Sequence, residues 1–321
     1  MTELTRRELA ALLGAGALAS RAGAVGDDGP LRPGVVGLAV AGAKLGKPLP
    51  VEAARDAVAK AVAGAVGVGS AAEAARALFK TGDTVGIKVN CLAGPLLSPR
   101  VELVEALVEL VVGAGVDRRR IVVFDRSSRE LERAGFTVRR EGAPYRCFGT
   151  DNDYDRQPSD SGSIGSCFAR LVSTECTALV SFGVVKDHDL SGVSAGMKNW
   201  YGVIHNPNKY HQNGCDPFIA DVVRHPFIRG KLRLTVLDGV VAQYNGGPAY
   251  RPGATFELGR VAASTDPVAA DLWALRAIEA ARAERGLPSL EAAGRPARYL
   301  ATAAAHGLGV ADPARLEEVS I

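Results

Sequence analysis

Between Lys186 and Asp216 the chain collects groups that can move protons and hold charge. His188, Lys198, Asn199, His205, Lys209, His211, Gln212 and Asn213 all fall in this stretch, so three of the five histidines lie between positions 188 and 211. Imidazoles serve as proton shuttles or metal ligands, and a lysine adds a positive point charge. A core does not take up so many polar groups unless they pair, because each unpaired buried one costs about 1–3 kcal/mol. The stretch is therefore either solvated surface or a set of groups converging on a ligand. Its small residues favour convergence: Gly192, Ala195 and Gly196 let the backbone approach a bound molecule closely. Ser194 is placed to cap a helix beginning near Ala195, whose amides, with Lys198 in the first turn, would attract an anion. The spacing of a phosphate-binding Walker loop is absent, and the histidines lack the i, i+4 spacing of a helical zinc pair. His188 and His211, flanked by charged and amide groups, are the functional candidates; His225 and His306 read as structural.

Such groups need a scaffold that delivers them to one edge. Val35 to Val40 reads as a strand. Apolar residues at helical spacing from Val51 to Phe79, interrupted between Gly64 and Gly69, read as two helices. A strand over Thr84 to Asn90, a helix from Pro99 to about Val112, a strand Ile121 to Asp125 and a short helix from Ser128 to Ala134 follow. This alternation predicts an α/β fold, a mixed, mostly parallel sheet flanked by helices. Asn90 and Asp125 then lie at the C-terminal ends of their strands, the edge where open α/β sheets bind ligands. With Lys88, Gly196 and Lys198 they are the candidate cofactor-binding residues. Further strands are expected over Ala178 to Phe182, Leu232 to Leu237 and Phe256 to Ala263, and a helix over Pro217 to Phe227. Asp266-Pro267 caps a helix reaching about Arg285, with Asp at N-cap and Pro at N1. The tail beyond Arg295 reads as helical. One α/β domain over 30–321 is expected, with the Asp-, Ser- and Gly-rich stretch 149–165 as the alternative point of division. The polar stretch would be a loop insertion feeding the strand C-terminal edge.

The composition, 47% hydrophobic and 23% charged, is that of a globular chain, and a net charge of +3 without a basic–aromatic run argues against nucleic acid. Arg6-Arg7 precede an apolar run, Leu9 to Ala19, and then Ala22-Gly23-Ala24, the order of a twin-arginine signal over residues 1–24. As a helix that run spans roughly 16 Å, half of a hydrocarbon core of about 30 Å, so it cannot anchor. The expected partner is the twin-arginine export machinery, and the expected location is periplasmic or extracellular, with no stable membrane span in the mature form. Cys91, Cys147, Cys167, Cys176 and Cys215 lack zinc-knuckle and ferredoxin spacings, which argues against an iron–sulfur cluster.

Taken in order, Gly86-Ile-Lys-Val-Asn90, His188, Met197-Lys198-Asn199, Gly202 and His211 resemble the core pattern of the domain of unknown function 362 family. Asp221, Val236-Leu-Asp-Gly239, Asn245-Gly-Gly-Pro248 and Ser264-Thr-Asp-Pro-Val-Ala269 continue it. Asn245 departs from the glutamate common there. A more distant resemblance, to the lactate racemase family, implies a nickel-pincer nucleotide held covalently by a lysine, with a histidine ten residues before it. His188 and Lys198 have that separation. The resemblance implies His211 as a metal ligand, with His205 as the other histidine offered for that role. No histidine precedes position 188 to supply the second proton-handling group, and Asn199 also departs from the racemase pattern. The expectation is a metal- or cofactor-dependent enzyme acting on a small anionic molecule, with His188, Lys198 and Asn199 catalytic. An extracytoplasmic protein that binds a metal or an organic anion without turnover is the alternative.

Overall fold

The computed structural model describes residues 31–142 and 144–321, so the signal segment expected over 1–24 lies outside the described residues. The chain runs β1 (Val35–Val40), α1 (Val51–Val66), α2 (Ala71–Leu78), β2 (Val85–Val89), α3 (Val101–Gly113), β3 (Ile121–Asp125), α4 (Ser128–Arg133) and β4 (Arg146–Gly149). Then come β5 (Ser159–Ser161), β6 (Ile164–Ser166), β7 (Ala178–His188), β8 (Gly192–Ser194), α5 (Phe218–Arg224) and α6 (Pro226–Arg229). The last elements are β9 (Leu232–Gln243), β10 (Thr255–Phe256), β11 (Arg260–Ser264), α7 (Pro267–Ala283), α8 (Tyr299–Ala305) and β12 (Glu317–Ser320).

Strands β2, β3 and β7 are apolar for most of their length and buried at every position, as strands covered on both faces must be. They belong to a sheet whose main path is β12-β1-β11-β9-β7-β2-β3-β4, with β8 added to β7 and β10 to β9. The run β9-β7-β2-β3-β4 is parallel throughout, whereas β11 pairs antiparallel with both β1 and β9. This is the mixed, mostly parallel α/β sheet expected. One face is covered by α1, α2 and α3 through Val58, Val62, Leu78, Leu103 and Leu107. On the other face α7 packs Trp273 and Ile278 over β1, β9 and β11. Beside it lies a layer made of α5, α8 and the 3-10 turn Lys198–Val203. Among the described residues no single helix is long and apolar enough to cross a membrane.

Asp266 caps α7 as its sequence position predicts, accepting from the amides of Val268 and Ala269. It also accepts from the amides of Gly34 and Val310, so one buried carboxylate ties both ends of the described chain to the sheet.

Four local expectations change. β7 does not stop at Phe182 but continues to His188, because the polar residues at its end find partners that composition does not reveal. The strand expected over Phe256 to Ala263 is two, β10 and β11, separated at Gly259, whose φ of +67° turns the chain. The 149–165 stretch holds the β5–β6 hairpin, tied to α5 by Ser163 N–H donating to Asp221. Lastly, β12 closes the sheet edge parallel to β1; its sequence, Glu-Glu-Val-Ser, is largely exposed and carries no apolar alternation.

Candidate functional site

Strand β7 carries Lys186, Asp187 and His188 to the C-terminal edge of the sheet, beside the ends of β2 and β3. The polar stretch then turns back through β8 and the 3-10 turn that starts at Lys198. Ser194 lies in β8 and caps no helix, and the amides expected to face an anion are occupied from inside. Gly196 N–H and Met197 N–H both donate to the Asp271 carboxylate of α7, which Tyr299 also donates to. Burial holds the Asp271 carboxyl up at about 6. The predicted chemistry, amides around an anion, is present with a side chain of the protein as the anion. It fixes the backbone immediately before Lys198.

Two sets of predicted residues come together here. In the first, Lys88 Nζ donates to Asp125 Oδ1 (2.6 Å), to the Val89 carbonyl (2.7 Å) and to Asn199 Oδ1 (3.0 Å), which uses all three of its donors. The Asn199 amide nitrogen donates to the Lys88 carbonyl and to Ser181 Oγ. Asp125 accepts from the amides of Cys91 and Arg126. Gly202 admits this packing, because a Cβ there would stand 2.7 Å from Lys88 Nζ. Lys88, Asp125 and Asn199 are thus mutually saturated and hold β2, β3 and the 3-10 turn together.

The second set is not saturated. Lys198 Nζ contacts His211 Nε2 at 3.1 Å and lies 3.7 Å from the centroid of the Tyr201 ring. His211 Nδ1 is 3.0 Å from the Pro207 carbonyl, which can only accept; the ring proton is therefore on Nδ1 and the Nε2 lone pair faces the amine. The His188 ring stacks on His211 with centroids 6.0 Å apart. Two amides, of Leu190 and Ser191, donate to His188 Nδ1, so its proton is on Nε2. Asp189 Oδ1 also approaches that nitrogen at 3.0 Å, but Asp189 is largely exposed and the ring is uncharged, so the contact is no ion pair. Lys186, which spacing alone does not distinguish, is 1% exposed and donates to Asn90 Oδ1 at 3.0 Å. Among the described residues neither Lys186 nor Lys198 has a carboxylate within ion-pair distance. Asp187, between Lys186 and His188, is buried and paired instead with Arg295 at 2.8 Å, and Arg295 also donates to Asn245.

Burial sets the electrostatics. Loss of solvation lowers Lys186 and Lys198 each to about 8. It lowers His188 to about 2, with further lowering from Lys198, His211, Lys186 and Arg295. An unfolded histidine takes up its proton near pH 6.5, whereas folded His188 stays neutral down to about 2. Over that window the unfolded state binds more protons. Stability is therefore lost as pH falls below about 6.5, by at most about 1.4 kcal/mol per pH unit for each such group. His211 and His225, also lowered by burial, act in the same direction. Urea midpoints should fall from pH 7 to pH 5, and His188→Gln should flatten that fall. An unchanged slope in the variant would show that His188 is not the group responsible.

His205 stands apart from this cluster, exposed and edge-on to Tyr154 with ring centroids 5.4 Å apart. The remaining histidines do not supply a metal's ligand set. The His211 lone pair faces Lys198, and the His188 lone pair faces two amides. Among the described residues no group of three or more His, Cys, Asp or Glu side chains is arranged to hold a metal ion. That donor set does not fit a metal ion or a metal-bearing cofactor.

A family model described as a domain of unknown function, DUF362, matches residues 85–276, a range that includes Lys88, Asp125, Lys186, His188, Lys198 and His211. No curated protein matches the sequence. A Thermotoga maritima protein solved by a structural genomics consortium is 13% identical, with a TM-score of 0.42 over 76% of this chain. The aligned part is 61% of that protein, so this chain spans less than two thirds of its length. The family match covers well over half of the sequence and contains the whole cluster: the protein belongs to the DUF362 family.

Proposed function

We propose that the protein is an enzyme acting on a small organic anion held by Lys186 and Lys198, with His211 handling protons and His188 donating a hydrogen bond. One observation carries this reading. Lys186 and Lys198 are buried amines that each use one of three donors on a neutral partner, while His188 Nε2–H has no partner among the described residues. Buried cations without counter-charges are costly, and an anion drawn between them removes that cost. Exclusion of water strengthens the attraction, since the same charges interact more strongly at low dielectric. The neutral His211 beside Lys198 is in the form that accepts a proton near neutral pH, and His188 Nε2–H is placed to donate a hydrogen bond to the anion. Arg6-Arg7 and the apolar run after them support delivery outside the cytoplasm by the twin-arginine route.

Calorimetric titration of the full-length protein with lactate, pyruvate and, as a cationic control, choline tests this. The carboxylates should bind and choline should not, and Lys198→Met should lose the carboxylate signal. Absence of any carboxylate binding, or binding undiminished in Lys198→Met, would sink the proposal.

A further inference from the structure

We infer that Lys198 is a nucleophile toward carbonyl carbon and that the site's substrates are 2-oxo acids, held as an imine on its Nζ. This rests on the anion-binding reading above and adds to it the electrophile.

The two amines are placed for different tasks. Lys186 emerges from β7, is held by Asn90 and has donors left for a carboxylate. Lys198 sits at the start of its turn with the Tyr201 ring under it and the His211 Nε2 lone pair 3.1 Å away, a base within reach of the amine's proton. The Asp271 carboxylate pins the backbone amides of Gly196 and Met197, so the root of the Lys198 side chain is fixed by α7. Stacked on His211, the neutral His188 presents Nε2–H, a donor for an oxygen that gains negative charge. A site built only to hold an anion is better served by arginine, whose planar fork matches a carboxylate and which keeps its proton. Here two lysines stand without a carboxylate beside either, and lysine is the cation that can offer a lone pair. Lys88, with three donors committed, cannot take that part.

The step balances without an outside reagent. The Nζ lone pair of the neutral amine forms a bond to the carbonyl carbon as the C=O π electrons move to oxygen, and His211 Nε2 takes one proton from that nitrogen and returns it to the oxygen. The nitrogen lone pair then forms the C=N bond as the C–O bond breaks, and the departing hydroxide takes the second nitrogen proton, again through His211, and leaves as water. One water is released and nothing is oxidised or reduced.

Full-length protein treated with pyruvate and sodium cyanoborohydride, then digested and mapped by mass spectrometry, reads the imine as a reduced adduct. The expected result is one adduct per chain, on the peptide carrying Lys198, formed before any on exposed Lys44, Lys47 or Lys209. Acetone, a carbonyl without a carboxylate, should give none, and Lys198→Arg should lose the pyruvate adduct. Labelling spread over the exposed lysines without preference for Lys198 overturns the inference. So does an adduct that survives Lys198→Arg. Should that variant fail to fold, the peptide map of the unaltered protein decides alone. Calorimetry on the same sample separates the two claims. Lactate and pyruvate binding with no adduct leaves the anion site standing and removes the imine, whereas no binding and no adduct removes both.

Discussion

Asp125→Ala is expected to cost the fold about 3–5 kcal/mol, the range for breaking a buried ion pair from one side. Lys88 and Asp125 have side chains 1% and 6% exposed with N and O 2.6 Å apart, so the surviving amine cannot reach water. The same substitution orphans the Cys91 amide, which has only the carboxylate to donate to at the end of β2. Urea unfolding measures the loss. Replacing both partners, Lys88→Met with Asp125→Leu, should recover much of it, because an apolar pair of similar size removes the unpaired charge. A loss below about 1 kcal/mol in Asp125→Ala would place the pair among weak, solvated bridges and return both residues to the candidate ligand-binding set.

Most of the scaffold was legible because it follows from local pattern. The apolar runs at Val85 to Val89 and Ile121 to Asp125, each separated from the next by a helix-period segment, leave little choice but parallel strands. The Asp266-Pro267 cap was equally readable, since its chemistry is contained in adjacent residues. What escaped depends on partners distant in sequence. The last turn of β7 looks like a polar loop until Lys186 is seen against Asn90, and Asp187 against Arg295 and the Gly247 amide. Propensity yields to tertiary pairing there. β12 escaped because an exposed, charged edge strand shows no period.

The site was legible in composition and not in roles. The crowded histidines and amides lie at the C-terminal edge of the sheet, where His188, Lys198 and His211 meet. Which lysine lacks a counter-charge depends on partners distant in sequence, and the proposed function turns on that distinction. Lys88 stood beside Lys198 among the candidate cofactor-binding residues, and it is saturated by Asp125 and Asn199. Lys186, in the same polar run as His188, has no distinguishing spacing and, like Lys198, is a buried amine with no acid within ion-pair distance among the described residues. The family-like motifs further on are largely structural. Asp238 receives Arg100 across the sheet, Asp221 ties α5 to the β5–β6 hairpin, and Asn245 and Gly247 fix Arg295 and Asp187. Asn245 and Gly247 thereby buttress the end of β7, which carries Lys186 and His188.

Lys198→Met should abolish carboxylate binding and, at pH 7, raise the stability of the ligand-free fold by about 1–3 kcal/mol. Methionine keeps the length of the side chain over Tyr201 and removes the desolvated amine. In the fold that amine is lowered to about 8 from an ordinary 10.5, so between those values the unfolded chain binds more protons than the native one. Wild-type stability from this group therefore rises as pH climbs through that window, and the advantage of methionine should shrink between about pH 8 and pH 10.5. Thermal unfolding of both proteins at pH 7 and at about pH 10 gives four numbers and two independent signs. A methionine variant less stable at pH 7 would mean that the contacts to His211 and Tyr201 outweigh the desolvation, making Lys198 a structural residue. A more stable variant that no longer binds carboxylates is the signature of a residue kept for its chemistry at the expense of the fold, and the narrowing gap at high pH would identify the charge on Nζ as the cause.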